Sequence, residues 1–95
     1  MCITDENQLL RAEAMLNGGD AAGAVAELER LACLYPGNDR ILYLRGNARR
    51  KTGNWAAAIN DYLEAASINP DSPAAEAAAM LTGILEFRNK DLYNQ

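Results

Sequence analysis

Residues 46–70 read GNARRKTGNWAAAINDYLEAASINP, and part of this pattern occurs a second time in the chain. Three of its residues recur earlier at one constant spacing: Gly19 for Gly53, Ala24 for Ala58 and Pro36 for Pro70. When residues 5–38 are laid over residues 39–72, nine of the 34 positions are identical. A fixed period of this length is typical of repeat proteins, whose units stack on one another. The chain therefore contains two copies of one structural unit.

Each copy has the apolar spacing of two helices separated by a short turn. In the first copy, Thr4 is placed to cap the first helix, and Asp20 is placed to cap a second helix from about Ala21 to Leu34. The turns are predicted at residues 18–20 and 52–54, where glycine ends one helix. The prolines of the period then close the second helix of each copy. The pattern predicts an all-α domain.

A fifth helix follows the second copy. Ser72 can cap it, and Pro73 suits a first helical position because that position needs no N–H donor. We expect this helix to end at about Arg88 and residues 89–95 to form an extended or frayed tail. The predicted organisation is a single domain over residues 1–95, with repeats at 5–38 and 39–72 and a capping helix at 73–88.

Composition and charge exclude several classes of protein. The net charge of -4 would repel a phosphate backbone, so nucleic acid is not expected as a general partner. No stretch is long and apolar enough for a membrane span, and Met1–Leu10 is too polar for a signal peptide, so we expect a cytoplasmic protein. The two cysteines are expected to be a frayed terminal thiol, Cys2, and a small buried side chain, Cys33.

Catalytic and metal-binding chemistry has no support in the residues. The chain has no histidine, no glycine-rich phosphate loop after a strand and no nucleophile elbow. Without histidine, two cysteines do not make a zinc site. We therefore expect neither an enzyme nor a bound cofactor or metal.

The repeated unit resembles the tetratricopeptide repeat, whose signature is W-x2-L-G-x2-Y, then A-x3-F, then P. In residues 39–72, the signature is matched at Gly46, Ala58, Tyr62 and Pro70. Residues 5–38 match more weakly, at Ala24, Leu28 and Pro36, with Ala12 in place of the signature glycine; the turn glycine, Gly19, is kept. The resemblance implies a right-handed α-α superhelix of five antiparallel helices, with the fifth as a solvating helix.

Three arginines depart from this signature. Its leucine is replaced by Arg11 in the first copy and by Arg45 in the second, and its first tyrosine is replaced by Met15 and Arg49. An arginine between helices must lay its aliphatic stem along the interface and direct its guanidinium to solvent or to a carboxylate. The candidate carboxylates are Glu13, Asp61 and Glu76.

In the family, the first helix of each repeat lines a groove that binds a peptide or a partner helix. Carried over to this chain, the resemblance implies eight partner-binding residues: Leu9, Glu13, Arg40, Tyr43, Leu44, Asn47, Arg50 and Lys51. Five of the nine basic residues fall between Arg40 and Lys51, which favours an acidic peptide or a terminal carboxylate as ligand. A solvated basic face that balances neighbouring acids is the alternative. Trp55 and Tyr62 are expected to be packing residues.

Three functions therefore remain open. The first is a non-catalytic module that binds a peptide or helix in the groove. The second is an assembly unit that forms homo-oligomers or scaffolds through its fifth helix; because apolar residues outnumber polar ones on that helix, we favour a homodimer over a monomer. The third is a face that contacts RNA or another anion through residues 45–51, since local charge can oppose net charge.

Overall fold

The computed structural model describes the backbone of residues 2–93 and the side chains of residues 7–84. Its described residues form five helices and no strand: α1 Cys2–Asn17, α2 Ala21–Leu34, α3 Asp39–Lys51, α4 Trp55–Ile68 and α5 Ala74–Tyr93. Each helix packs mainly on its neighbours in the chain, and α1 also touches α3. The predicted all-α architecture of five helices is confirmed. The assignment of residues 1–95 to a single domain stays a prediction.

The turn within each repeat uses glycine in a left-handed conformation. Gly19 and Gly53, which occupy the same position of the two repeats, have φ angles of 94° and 88°. The residue after each glycine donates its N–H back to the preceding helix, Asp20 to Met15 O at 2.9 Å and Asn54 to Arg49 O at 2.9 Å. Only glycine adopts this conformation without a steric penalty. The recurrence of glycine in the sequence thus has a backbone cause.

Side-chain caps start three of the helices. Asp20 Oδ1 accepts from the Gly23 N–H at 3.0 Å, at the start of α2. Asn38 Oδ1 accepts from Arg40 N–H at 3.0 Å at the start of α3, and Ser72 Oγ accepts from Ala74 N–H at 3.2 Å at the start of α5. These bonds satisfy backbone donors that have no partner within the helix. The caps predicted at Asp20 and Ser72 are confirmed.

Two apolar clusters hold the helices together. The first joins α1, α2 and α3 around Leu28 and Leu31, and the second joins α3, α4 and α5 around Tyr62. Tyr43 of α3 packs against both clusters. Since Leu28 and Tyr62 occupy the same position of the period, each repeat buries its central side chain in the same place.

Gly46 allows α3 and α4 to approach each other. A Cβ atom built on Gly46 would lie 2.7 Å from Cε1 of the Tyr62 ring, closer than real Cβ contacts. The absence of a side chain at this position therefore admits the tyrosine ring. Gly46 is also the residue at which the second copy matches the glycine of the repeat signature.

Three details of the prediction were wrong. The first helix begins at Cys2, before the cap predicted at Thr4. The fifth helix continues beyond Arg88 to Tyr93, so residues 89–93 are helical and do not form a tail; residues 94 and 95 lie outside the described residues. Cys33 is exposed because it points away from the apolar stripe of α2. The side chain of Cys2 lies outside the described residues.

Candidate functional site

An open concavity of about 330 Å³ lies between α3 and α5. Three side chains of α3 line it, together with three of α5 and the proline that precedes α5: Tyr43, Asn47, Arg50, Pro73, Glu76, Ala77 and Met80. Residue 73 is one period after residue 39, so α5 stands where the first helix of a third repeat would begin. The concavity is thus formed by two helices at equivalent positions of the array.

Tyr62 of α4 contacts two of the α3 side chains that line this concavity. Its hydroxyl donates to Asn47 Oδ1 at 2.5 Å, and its ring lies 5.8 Å from the Tyr43 ring, centroid to centroid, at a tilt of 46°. The Tyr62 side chain is fully buried. Burial raises the pKa of Tyr62 above its ordinary value of 10.0, although the nearby Arg50 acts in the opposite direction. Tyr62 is therefore a neutral donor that orients Asn47.

Charges of opposite sign line the two walls of the concavity. Arg50 belongs to α3 and Glu76 to α5. Among the side chains of residues 7–84, neither has an ion-pair partner, and the two do not pair with each other. A ligand in the concavity would therefore meet a positive wall and a negative wall.

Only some of the residues predicted to bind a partner line the concavity. Tyr43, Asn47 and Arg50 line the concavity. Arg40 and Lys51 are exposed near the two ends of α3 and do not line the concavity. Glu13 is half-buried on α1 and does not line it either.

The prediction for Leu9 and Leu44 was wrong. Both side chains are buried in the cluster that joins α1, α2 and α3, where they pack on other apolar residues and present almost no surface to a partner. Leu16 is buried in the same cluster. Apolar packing therefore buries these leucines, and the concavity described above is lined by α3, α5 and the proline before α5. A groove lined by the first helix of each repeat would also include Glu6, whose side chain lies outside the described residues.

Arg45 and Arg49, the departing arginines of the second copy, form an ion network with buried Asp61. Asp61 is 2% exposed and accepts from Arg45 Nη2 at 2.8 Å and from Arg49 Nη1 at 3.0 Å. Arg49 also donates to Glu29 of α2 at 3.0 Å. The hydrogen bond to Asp61 raises the pKa of Arg45, while burial acts to lower it. Asp61 was one of the three predicted carboxylates; Glu13 and Glu76 make no such bond among the described side chains.

This network removes two charges from the basic surface of α3. The guanidinium groups of Arg45 and Arg49 are directed at carboxylates of α4 and α2, and their side chains are mostly buried. The basic residues of α3 that remain available to a partner are Arg40, Arg50 and Lys51. The positive stripe is therefore weaker than the count of basic residues indicated.

Sequence reasoning missed Glu76 and Met80 as lining residues. The resemblance assigns residues 73–88 to a cap that covers the last repeat, not to a wall of the groove. The repeat period indicated that these residues line the groove, because the first helix of a third repeat would begin at residue 73. Within residues 7–84, no group of side chains is arranged to hold a metal ion.

Comparisons with known proteins agree with the repeat architecture. A family model described as a tetratricopeptide repeat matches residues 6–38, and one described as a TPR repeat matches residues 46–75. The chain belongs to the tetratricopeptide repeat family. Repeats of this family generally mediate protein–protein interactions and are typically non-catalytic.

One solved structure is similar to this tetratricopeptide repeat protein over most of its length. It is the solution NMR structure of Bacteroides fragilis protein BF1650, with 46% sequence identity and a TM-score of 0.78. The match covers 93% of this chain and 90% of that chain. No curated protein matches the chain. No helix in the described part of the chain is both long and apolar enough to cross a membrane.

Proposed function

We propose that this tetratricopeptide repeat protein is a non-catalytic interaction module that binds a peptide or helix of another protein between α3 and α5. The observation that carries the proposal is the open concavity of about 330 Å³ between α3 and α5. These helices stand where the first helices of two successive repeats would lie. Its lining combines a half-buried aromatic ring, Tyr43, with a flexible thioether, Met80, and a few polar groups. Such a combination suits recognition of a side chain by burial and of its neighbours by hydrogen bonds.

An acidic group is the expected neighbour on the α3 side. Arg50 has only donors, and Asn47 accepts from Tyr62 with Oδ1, which leaves its Nδ2 group as a donor. Both residues line the concavity.

The RNA-contacting alternative loses support, because Arg45 and Arg49 are already bound to Asp61 and Glu29. The predicted cytoplasmic location stays a prediction.

Peptide selection followed by NMR mapping tests the site. Peptides would be selected from a random library displayed on phage, and the best binder titrated into the ¹⁵N-labelled protein. We expect the largest amide shifts in residues 43–50 and 73–80, because these segments line the concavity. Shifts concentrated instead on α2, around Leu34, would place binding elsewhere and contradict the proposal.

A matched pair of charge reversals separates the concavity from the rest of the surface. Arg50→Glu should weaken binding of the selected peptide by about tenfold, because attraction of an acidic group becomes repulsion. Arg11→Glu is the control, since Arg11 is exposed on α1 and does not line the concavity. Equal losses in the two variants would show that net charge, not the site, governs binding.

Assembly through α5 is the second candidate. Met80 and Ile84 are 56% and 41% exposed, so part of the apolar surface of α5 has no cover within the described chain. If α5 joins two copies, sedimentation should show a concentration-dependent dimer that Ile84→Ser weakens. The control is Leu63→Ser, since Leu63 is 54% exposed on α4. A monomer at all concentrations would exclude this candidate.

A further inference from the structure

We propose that the ligand of the concavity is a peptide segment of mixed charge, in which an apolar side chain stands between an acidic and a basic residue. This inference rests on the proposed function and specifies its partner. It differs from the acidic ligand that the basic residues of α3 alone indicated. The decisive observation is a pair of opposite charges on the two walls of one concavity, Arg50 and Glu76, neither of which has an ion-pair partner among the side chains of residues 7–84.

The α3 wall selects the acidic residue. Arg50 offers only hydrogen-bond donors. The buried hydroxyl of Tyr62 engages Asn47 Oδ1 at 2.5 Å, which orients the amide so that its NH₂ group is the one left for a ligand. A carboxylate can accept from both groups, whereas a cation would be repelled by Arg50 and would find only the second lone pair of Asn47 Oδ1 as an acceptor.

The α5 wall selects the basic residue. Glu76 is exposed, lines the concavity and has no ion pair with any side chain between residues 7 and 84. An ionised carboxylate offers only acceptors, so a lysine or arginine of the ligand would satisfy it. A second acidic residue placed on this side would be repelled by Glu76. A ligand that is acidic throughout therefore fits only one of the two walls.

The apolar residue of the ligand lies between these charges. Tyr43 presents its ring from α3, and Met80, 56% exposed, presents its thioether from α5. The Tyr43 ring rests on the ring of Tyr62, which holds it in place. Methionine adapts its shape to a bound side chain at low cost. Burial against these two residues supplies affinity, while the flanking charges fix the direction in which the peptide lies.

Parallel selections of phage-displayed random peptides test the inference. The targets are the wild type, Glu76→Lys, Arg50→Glu and the exchanged double variant R50E/E76R. The control is Glu64→Lys, because Glu64 is exposed on α4 and does not line this concavity. Circular dichroism would verify that each variant is folded; none of these changes removes an ion pair among the described side chains.

We expect wild-type and Glu64→Lys selections to yield one shared pattern of an acidic, an apolar and a basic residue. Glu76→Lys should select peptides without the basic residue. Arg50→Glu should select peptides without the acidic residue. The exchanged variant should select peptides with the charges in reversed order. A selected wild-type peptide should bind Glu76→Lys about tenfold more weakly.

The outcomes separate this inference from the function on which it rests. If wild type selects acidic peptides that map to the concavity and Glu76→Lys leaves their affinity unchanged, the mixed-charge ligand is wrong and the binding module stands. If no peptide is enriched, or if the enriched peptides bind elsewhere by NMR, the proposed function fails and the inference fails with it.

Discussion

The two repeats share one backbone plan but use equivalent positions differently. Leu9 and Leu16 of α1 correspond to Tyr43 and Arg50 of α3 when the two repeats are aligned. The leucines are buried in the first cluster, whereas Tyr43 and Arg50 line the open concavity. Equivalent positions are therefore buried in the first repeat and line the concavity, half-buried, in the second. Side-chain chemistry at a few positions, not the repeat itself, decides where a partner can bind.

A second difference arises from the position of each repeat in the array. Leu10 and Leu44 are identical in the alignment of the repeats, yet Leu10 is 57% exposed and Leu44 is 6% exposed. Leu44 packs with α1 and α2 in the first cluster, but within the described chain no earlier repeat covers Leu10. The second repeat thus uses the first to complete its core, as expected for stacked units.

The arginines show the same contrast. Arg45 reaches buried Asp61, whereas its equivalent Arg11 is exposed. The equivalent of Asp61 is Glu27, which pairs with Arg30 one turn along α2. Within the described side chains, only the second repeat thus contains a buried ion network, and Arg49 extends it to Glu29 of the first repeat.

The largest expected effect comes from breaking that network. Asp61→Asn should lower the free energy of unfolding by about 3 kcal/mol, because it leaves two mostly buried guanidinium groups without their shared carboxylate. The equivalent change in repeat one, Glu27→Gln, should cost about 0.5 kcal/mol or less, because its partner Arg30 is exposed. Urea unfolding of both variants gives the comparison. Similar losses would mean that the buried network adds no more than a surface pair.

The expected difference in stability is slightly smaller for Leu44 and its equivalent, Leu10. Leu44→Ala should destabilise the protein by about 2–3 kcal/mol through lost burial and a residual cavity. Leu10→Ala should change stability by about 0.5 kcal/mol or less, because its side chain is already largely in water. Thermal unfolding monitored by circular dichroism would measure both. A large loss at Leu10 would reveal cover for α1 that the described chain does not provide, for example from a second copy.

The smallest effect concerns the hydroxyl that distinguishes Tyr62 from Leu28, its equivalent. Tyr62→Phe should cost about 1 kcal/mol near neutral pH, because it removes the hydrogen bond to Asn47 and keeps the ring. Burial raises the pKa of Tyr62 above 10.0 in the folded state, so the unfolded chain loses that proton first as pH rises. The wild type should therefore lose stability above pH about 10 relative to Tyr62→Phe.

Unfolding of both proteins across pH 8–11 checks this expectation. Other ionising groups are common to the two chains, so the difference between them isolates Tyr62. A difference that stays constant across the range would show that the hydroxyl ionises alike in the folded and unfolded states.

Sequence reasoning succeeded where the cause lies within one repeat. The turn glycines, the caps at Asp20 and Ser72 and the buried Tyr62 follow from local geometry and helical spacing. It was less successful at the site, where Leu9 and Leu44 were placed on the surface and Glu76 and Met80 were overlooked. These residues depend on contacts between helices of different repeats, and spacing along one helix does not report such contacts.

The repeat period, together with the local start signal at Ser72 and Pro73, was sufficient to determine the five helices and their family, because helix starts, turns and stops depend on residues close together in the chain. Tertiary structure alone decided which parts of α3 are available to a partner. Stacking of α1 buries one side of α3, Asp61 and Glu29 engage two of its arginines, and α5 completes a concavity beside Tyr43, Asn47 and Arg50. Each of these effects arises when distant segments meet, since burial and ion pairing depend on what covers a side chain.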